Sequence, residues 1–211
     1  MTDELKSILE KVSSLYQKYG IKSITMDDVS RELGISKKTL YQYVADKTDL
    51  VAKVLEMDMT KSACKFAEIH DCDKNAIEEL IDVHKFVYQR MRENNTSAKY
   101  DLRKYYPDLF HKFQAERHQK MYEKVLDNLK KGKTQGLYRA ELNEEVITKV
   151  TVMRSEITDG TDVYNFEDIT TADFFTEVMI YHIRGIANEK GIKILEDNIH
   201  KLVKQNRDAI N

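Results

Sequence analysis

Tryptophan is absent from the 211 residues, proline occurs once, and the seven glycines are scattered. There is therefore no proline-rich spacer and no low-complexity tract, and the backbone is rarely interrupted. No apolar run approaches the roughly 20 residues that cross a bilayer as a helix. The N-terminus, MTDELKSILEKVSSLYQKYG, carries acids and lacks a basic stretch followed by an apolar core, so it does not read as a secretory signal. A cytoplasmic location is the expectation. Only two cysteines occur, Cys64 and Cys72, too few for a disulfide framework. With His70 and Asp71 between them they match no zinc spacing, and no metal or cofactor is expected. Net charge is -2 with 33% charged residues, the composition of a folded, soluble chain. There is no nucleophile elbow, no phosphate loop and no metal-ligand pair on one helix face, and the six histidines are dispersed, so nothing points to an enzyme.

What is present is helical periodicity. Apolar residues recur at spacings of three and four, and strict alternation is nearly absent, which predicts an all-α chain. The first helix presents Leu5, Ile8, Leu9, Val12, Leu15, Tyr16 and Tyr19, and Gly20 closes it. Further helices are predicted over about 47–66, 74–93, 97–104, 107–131, 143–157, 172–189 and 192–205. Pro107 opens one of them, where proline is tolerated in a first turn. Gly132 and Gly136 mark an exit, Gly191 closes the helix from Ala172, and Thr158 to Thr170 reads as a loop. A boundary falls near residue 50, giving domains 1–50 and 51–211 that share a helix rather than a flexible linker.

The informative stretch begins at Thr25 with TMDDVSRELGISKKTLYQYVADKTDL. Thr25 suits an N-cap, with Asp28 three residues on as in a capping box. A two-turn helix follows with Met26, Val29 and Leu33 on one face. Ser30 is small enough to let helices cross closely. Gly34 supplies a left-handed turn residue, Ile35 plugs the space between helices, and Ser36 caps a second short helix from Lys37 to about Val44. Asp46 caps the next, with Asp49 three residues later. Two short helices joined by a glycine-containing turn make a DNA-binding helix-turn-helix, so the N-terminal domain reads as a three-helix unit of that kind. The second helix would enter the major groove by its N-terminal end, Ser36-Lys37-Lys38-Thr39. Lysine can donate to guanine edges, and a threonine methyl can touch thymine. Tyr41 and Tyr43 offer hydroxyls to phosphates, and Lys47 adds charge at a helix start. One feature opposes this: from residue 1 to 50, eight basic residues are balanced by eight acidic ones. The basic excess must be local, and modest non-specific affinity is expected.

These residues resemble the TetR family of bacterial one-component regulators. The resemblance rests on Thr25, Val29, Ser30, Gly34, Ile35, Ser36, Thr39, Leu40, Tyr41, Tyr43, Val44, Lys47 and Leu50, about a quarter of the chain. Ser30 stands where the family usually has alanine and Val44 where it usually has phenylalanine; both changes keep the packing class. The resemblance implies that Thr25, Thr39, Tyr41 and Lys47 hold phosphates while Lys37, Lys38 and in part Tyr41 meet bases. It further implies a helical C-terminal domain for ligand sensing and dimerisation, a homodimer on a palindromic operator, and repression relieved by a small molecule.

Residue faces add candidates. His84 centres an apolar face with Ile77, Leu80, Ile81, Val87, Tyr88 and Met91; Arg117 centres another with Phe110, Phe113 and Met121. A polar group buried there needs a partner, so His84, Tyr88, Phe113, Arg117 and Met121 are the candidate ligand residues, Arg117 suggesting an acidic group. Internal pairing of both is the alternative. Val146, Ile147, Val150, Met153 and Ile157 share one helix face, and Phe175, Val178, Met179, His182, Gly185 and Ile186 another. Two such helices from each of two chains can build a four-helix interface, with Gly185 allowing close approach; Val146, Val150 and the second set are its candidates, packing within one chain being the alternative. A DNA-binding protein without a ligand remains the rival reading. A closed C-terminal core would favour it, and a pocket of roughly 300 Å3 or more would favour a sensor.

Overall fold

The computed structural model describes residues 2–70, 73–93, 96–157 and 172–208. Cys72 and the loop expected from Thr158 to Thr170 lie outside the described residues. Among those described, ten helices follow in order: α1 (Asp3–Tyr19), α2 (Met26–Leu33), α3 (Lys37–Tyr43), α4 (Lys47–His70), α5 (Ala76–Glu93), α6 (Thr96–Tyr105), α7 (Pro107–Thr134), α8 (Glu144–Ile157), α9 (Ala172–Ile186) and α10 (Glu189–Asp208). The only β pairing among them is an isolated antiparallel bridge between Tyr138 and Ala187. The all-α expectation holds, and no described helix is long and apolar enough to cross a membrane.

Two compact units form, and they do not divide at residue 50. One comprises Met1–Lys65 with Glu93–Arg117, the other Phe66–Arg92 with His118–Asn211. The first unit is organised by α1. Its Ile8, Leu9, Val12 and Tyr16 meet Val29 of α2, Leu40 of α3 and Leu50, Val51 and Val54 of α4 in one buried cluster. Ala98 and Leu102 of α6, with Tyr106 and Leu109 beyond it, pack against the same cluster, which is why a segment 40 residues downstream joins the N-terminal helices. A polar latch adds to it. Asp101, buried on α6, accepts the backbone N–H of Lys22 at 2.8 Å, fixing the α1–α2 connection.

The second unit has an aliphatic core of Ile77, Ile81, Leu129, Ile180, Ile183 and Leu195, closed by Tyr138. A buried carboxylate sits beside it. Glu79 is 2% exposed and accepts from His70 Nδ1 at 2.5 Å, Lys131 Nζ at 2.7 Å and Asn128 Nδ2 at 3.0 Å. Burial alone would raise its pKa; the donors from His70, Lys131 and Asn128 outweigh that and hold it at about 2. One polar cluster thereby ties the C-terminal end of α4 to α5 and α7. Gly191 departs from expectation. It lies inside the first turn of α10, and a Cβ there would sit 2.3 Å from the Leu137 carbonyl oxygen. The break between α9 and α10 is made instead by Asn188, whose side chain accepts from Gly191 N and donates to the Gly136 carbonyl. Glycine is required there for close approach, not for ending a helix.

Candidate functional site

The turn between α2 and α3 forms as its residues dictate. The Thr25 hydroxyl accepts from Asp28 N, and the Asp28 carboxylate accepts from Thr25 N at 3.0 Å, completing a capping box. Gly34 takes φ 69° and ψ 27°, the left-handed geometry that ends α2 and that a β-carbon would strain. Ser36 then caps α3, accepting from Thr39 N at 3.0 Å. The buried Ser30 returns its hydroxyl to the Met26 carbonyl, so close packing there leaves no orphan donor. Leu40 is the one fully buried residue of α3 and pins the helix to the core.

The opposite side of α3 is open. Lys37, Lys38 and Tyr41 are exposed, and Ser36 lies beside them at the helix start. A side chain from outside α3 shares that surface: Lys37 Nζ meets the Asp27 carboxylate of α2 at 2.6 Å, and this bond keeps the ammonium protonated above its ordinary range. Sequence reasoning missed Asp27, because an exposed acid in a first helical turn reads as an N-terminal charge preference. Thr39 is half-buried and shares its hydroxyl with Ser36 at 2.8 Å. Tyr43 differs from expectation. It packs against the core with its hydroxyl directed to Glu4 of α1. Lys47, at the start of α4, is half-buried and donates to the Lys22 carbonyl at 3.3 Å. Burial lowers its pKa, while Asp101 and Asp28 oppose that. The cap of α4 is formed by Asp46, which accepts from Asp49 N, while Asp49 accepts from Ala45 N, both at 2.8 Å.

The C-terminal candidates separate. His84 and Tyr88 of α5 come together on Phe175 of α9, with ring centroids 4.4 Å and 5.6 Å from it. His84 is buried with its Nε2 unpartnered among the described residues. Phe113 and Arg117 belong to the first unit. Phe113 is buried, but Arg117 is exposed there rather than centred on a buried face. Met121 is half-buried in the second unit. Of the interface candidates, Val146, Val150 and Gly185 are exposed, and His182 and Val178 are half-buried. Met179 and Ile186 face inward to the core, and Phe175 is taken by the histidine stack, so these three do not form an outer face. The exposed apolar residues of α8 and α9 are instead Val146, Val150, Met153, Phe174 and Tyr181, the last 80% exposed. A recess of about 380 Å3 opens among Ile147, Val150, Thr151, Tyr181, His182 and Gly185 on this surface. It is a surface groove, not a closed cavity.

A capped two-helix turn with one buried anchor and an open basic face defines a helix-turn-helix unit. Residues 8–54 match the family of bacterial regulatory proteins described as the tetR family. The likeness to that family is thus carried by the helix-turn-helix residues, about a quarter of the chain. It is 28% identical over 115 residues to an HTH-type transcriptional regulator of Staphylococcus aureus strain MRSA252, covering 49% of this chain and 62% of the relative. The match thus spans less than two thirds of that relative's length. The fold is similar to that of a transcriptional regulator from Cytophaga hutchinsonii, with TM-score 0.70, 18% identity, and 89% and 100% of the two chains covered. It is also similar to a structure described as a gamma-butyrolactone receptor (ArpA-like protein), with TM-score 0.65, 14% identity, and 96% and 97% covered. At such identities the likeness speaks for the fold alone.

Proposed function

We propose that the protein is a sequence-specific DNA-binding transcriptional regulator that acts as a two-fold dimer and releases a palindromic operator when a small molecule binds. The observation that carries this reading is α3: one buried leucine holds it, and Lys37, Lys38 and Tyr41 stand exposed at the end that enters a major groove. Lys38 and Tyr41 meet base edges, Lys37 joins them once it leaves Asp27, and Thr25, Thr39 and Lys47 hold phosphates. The exposed apolar residues of α8 and α9 support a dimer, since apolar surface grouped on two helices is what an isologous four-helix interface buries. Two reading helices would then lie about 34–36 Å apart, one turn of DNA. The unpartnered His84 and the fold likeness to a protein described as a receptor support a ligand site in the second unit. Release follows if the ligand favours a dimer geometry with the wrong spacing; a coupling of about 1–3 kcal/mol is typical, and DNA must weaken ligand binding by the same factor.

Selection of genomic fragments with the purified protein tests the reading. One palindromic sequence family should be enriched. Lys38→Ala should relax its base preference and cost about 1–3 kcal/mol, whereas Lys47→Ala should weaken all sequences and reduce the salt slope by about one unit. A selection that returns no enriched sequence rejects it.

A further inference from the structure

The interior of the second unit has two chemistries. Around Ile183 and Leu195 it is aliphatic. Along α5, α8 and α9 it carries polar groups that find no partner among the described residues. Thr148 of α8 is wholly buried, and its hydroxyl has no hydrogen-bond partner among the described residues. His84 of α5 is 8% exposed, and its Nε2 is in the same position. Arg154, two turns beyond Thr148, is half-buried, and no carboxylate pairs with it among the described residues. His182, half-buried on α9, follows Phe175 by two helical turns on the same side. The Arg154 charge acts on both imidazoles. Burial first, then that charge, lowers each to about 4, so both are neutral near pH 7.

Buried polar groups and half-buried charges normally find partners. Here the unmet groups are one guanidinium, one imidazole nitrogen and a hydroxyl, and none of them is an anion. What satisfies them together is an anionic acceptor. A guanidinium presents a planar fork that fits a carboxylate through two parallel bonds. Beside it stand flat rings: Phe175 lies nearly parallel to His84, at 22°, with Tyr88 tilted 33° to it. Such a wall takes a planar apolar body.

We propose that α5, α8 and α9 form a binding site for a planar organic carboxylate, its acid group on Arg154 and its apolar body against Tyr88 and Phe175. The site rests on the ligand-responsive reading above and narrows the effector to an acid. The recognising cation is Arg154 of the second unit, not Arg117.

The test uses the full chain without DNA, with 2-naphthoate as the probe. Titration calorimetry and thermal shift at 1 mM should both report binding. The neutral isostere 2-naphthamide should bind at least tenfold more weakly, and inorganic phosphate at 1 mM should give no shift. Arg154→Gln should weaken naphthoate at least tenfold, Arg154→Lys by less, and Phe175→Leu should weaken acid and amide alike. One readout separates a ligand cation from a structural one. Without ligand, Arg154→Gln should melt no lower than the wild type, because it removes a desolvated charge that no carboxylate among the described residues compensates. A lower melting temperature for that variant, no naphthoate binding at 1 mM, equal binding of the amide, or an equal shift with phosphate would each overturn the site. These measurements contain no DNA, so their failure leaves operator binding standing, and a failed operator search leaves them unchanged.

Discussion

Replacing Glu79 by glutamine should be costly to the second unit, and its cost should depend on pH in one direction. Glu79 is 2% exposed and takes donors from His70, Lys131 and Asn128. Its carboxyl titrates at about 2, against 4.5 for an ordinary glutamate. That difference corresponds to roughly 3 kcal/mol of stabilisation by the ionised form. Because the folded value is depressed, the contribution is fully present above about pH 4.5 and is lost as pH falls toward 2. Glu79→Gln removes the anion and leaves Lys131 without its carboxylate, so a loss of about 3 kcal/mol is expected at pH 7, in line with breaking a buried pair. Urea unfolding at one fixed protein concentration measures it, since dimerisation would otherwise enter the result. The informative quantity is the difference between wild type and variant from pH 7 to pH 3. The lowered pKa values of His84 and His182 reduce stability below about pH 6.5 in both proteins and cancel in that difference. By pH 3 more than half of the gap, roughly 2 kcal/mol, should have closed. A gap below about 1 kcal/mol at pH 7, or one that persists unchanged at pH 3, would refute the assignment of Glu79 as an ionised anchor.

Two further outcomes follow from surfaces rather than from the interior. Asp27→Asn should release Lys37, which in a non-specific complex has no matched base edge and falls to a phosphate, raising affinity for non-specific duplex and steepening the salt dependence by about one unit, read by fluorescence anisotropy across a salt series; unchanged slopes would mean that the freed Lys37 does not reach the duplex. Tyr181→Asp should yield a monomer in sedimentation at micromolar concentration, because a two-fold interface would bury each added charge twice; a dimer of unchanged stability would move the interface elsewhere.

The helix-turn-helix was legible because its signals are local. Caps, a turn glycine and a period of 3.6 all concern residues within four positions of one another, and Thr25, Gly34, Ser36 and Leu40 take the expected roles. What escaped was set by partners distant in sequence. Tyr43 is directed to Glu4, α6 is held by Asp101 on the Lys22 backbone, and α4 runs on to His70, where Glu79 receives it. On α9 the period itself misled. Phe174, Phe175, Val178, Met179, Ile180, Tyr181, Ile183 and Ile186 surround most of the helix, so an apolar count cannot choose a face. The buried positions prove to be Thr176, Met179, Ile180, Ile183 and Ile186, leaving Phe174 and Tyr181 outside. Arg117 was misplaced for a related reason: α7 passes through both units, and one amphipathic stripe does not describe a helix whose surroundings change along its length.

The charge balance of the N-terminal residues bears on why a dimer would be needed at all. Several of its basic side chains are already engaged: Lys37 with Asp27, Arg31 near Asp28 at 3.7 Å, and Lys22 with the Tyr105 hydroxyl at 2.8 Å. Lys38 is exposed on the reading helix, and Lys47 is half-buried beside it in role if not in sequence. A single unit therefore neutralises few phosphates, and because non-specific affinity scales with that number, one unit alone binds weakly. Joining two copies in the proposed dimer would make the second binding event intramolecular, so tight operator binding would depend on both half-sites being reached at once. An interface that sets the spacing would then control affinity more strongly than any single lysine could. On the proposed dimer mechanism, a strongly basic domain would stay on DNA with one half engaged, whereas one with eight acidic residues balancing eight basic ones among the first fifty would leave when the geometry changes.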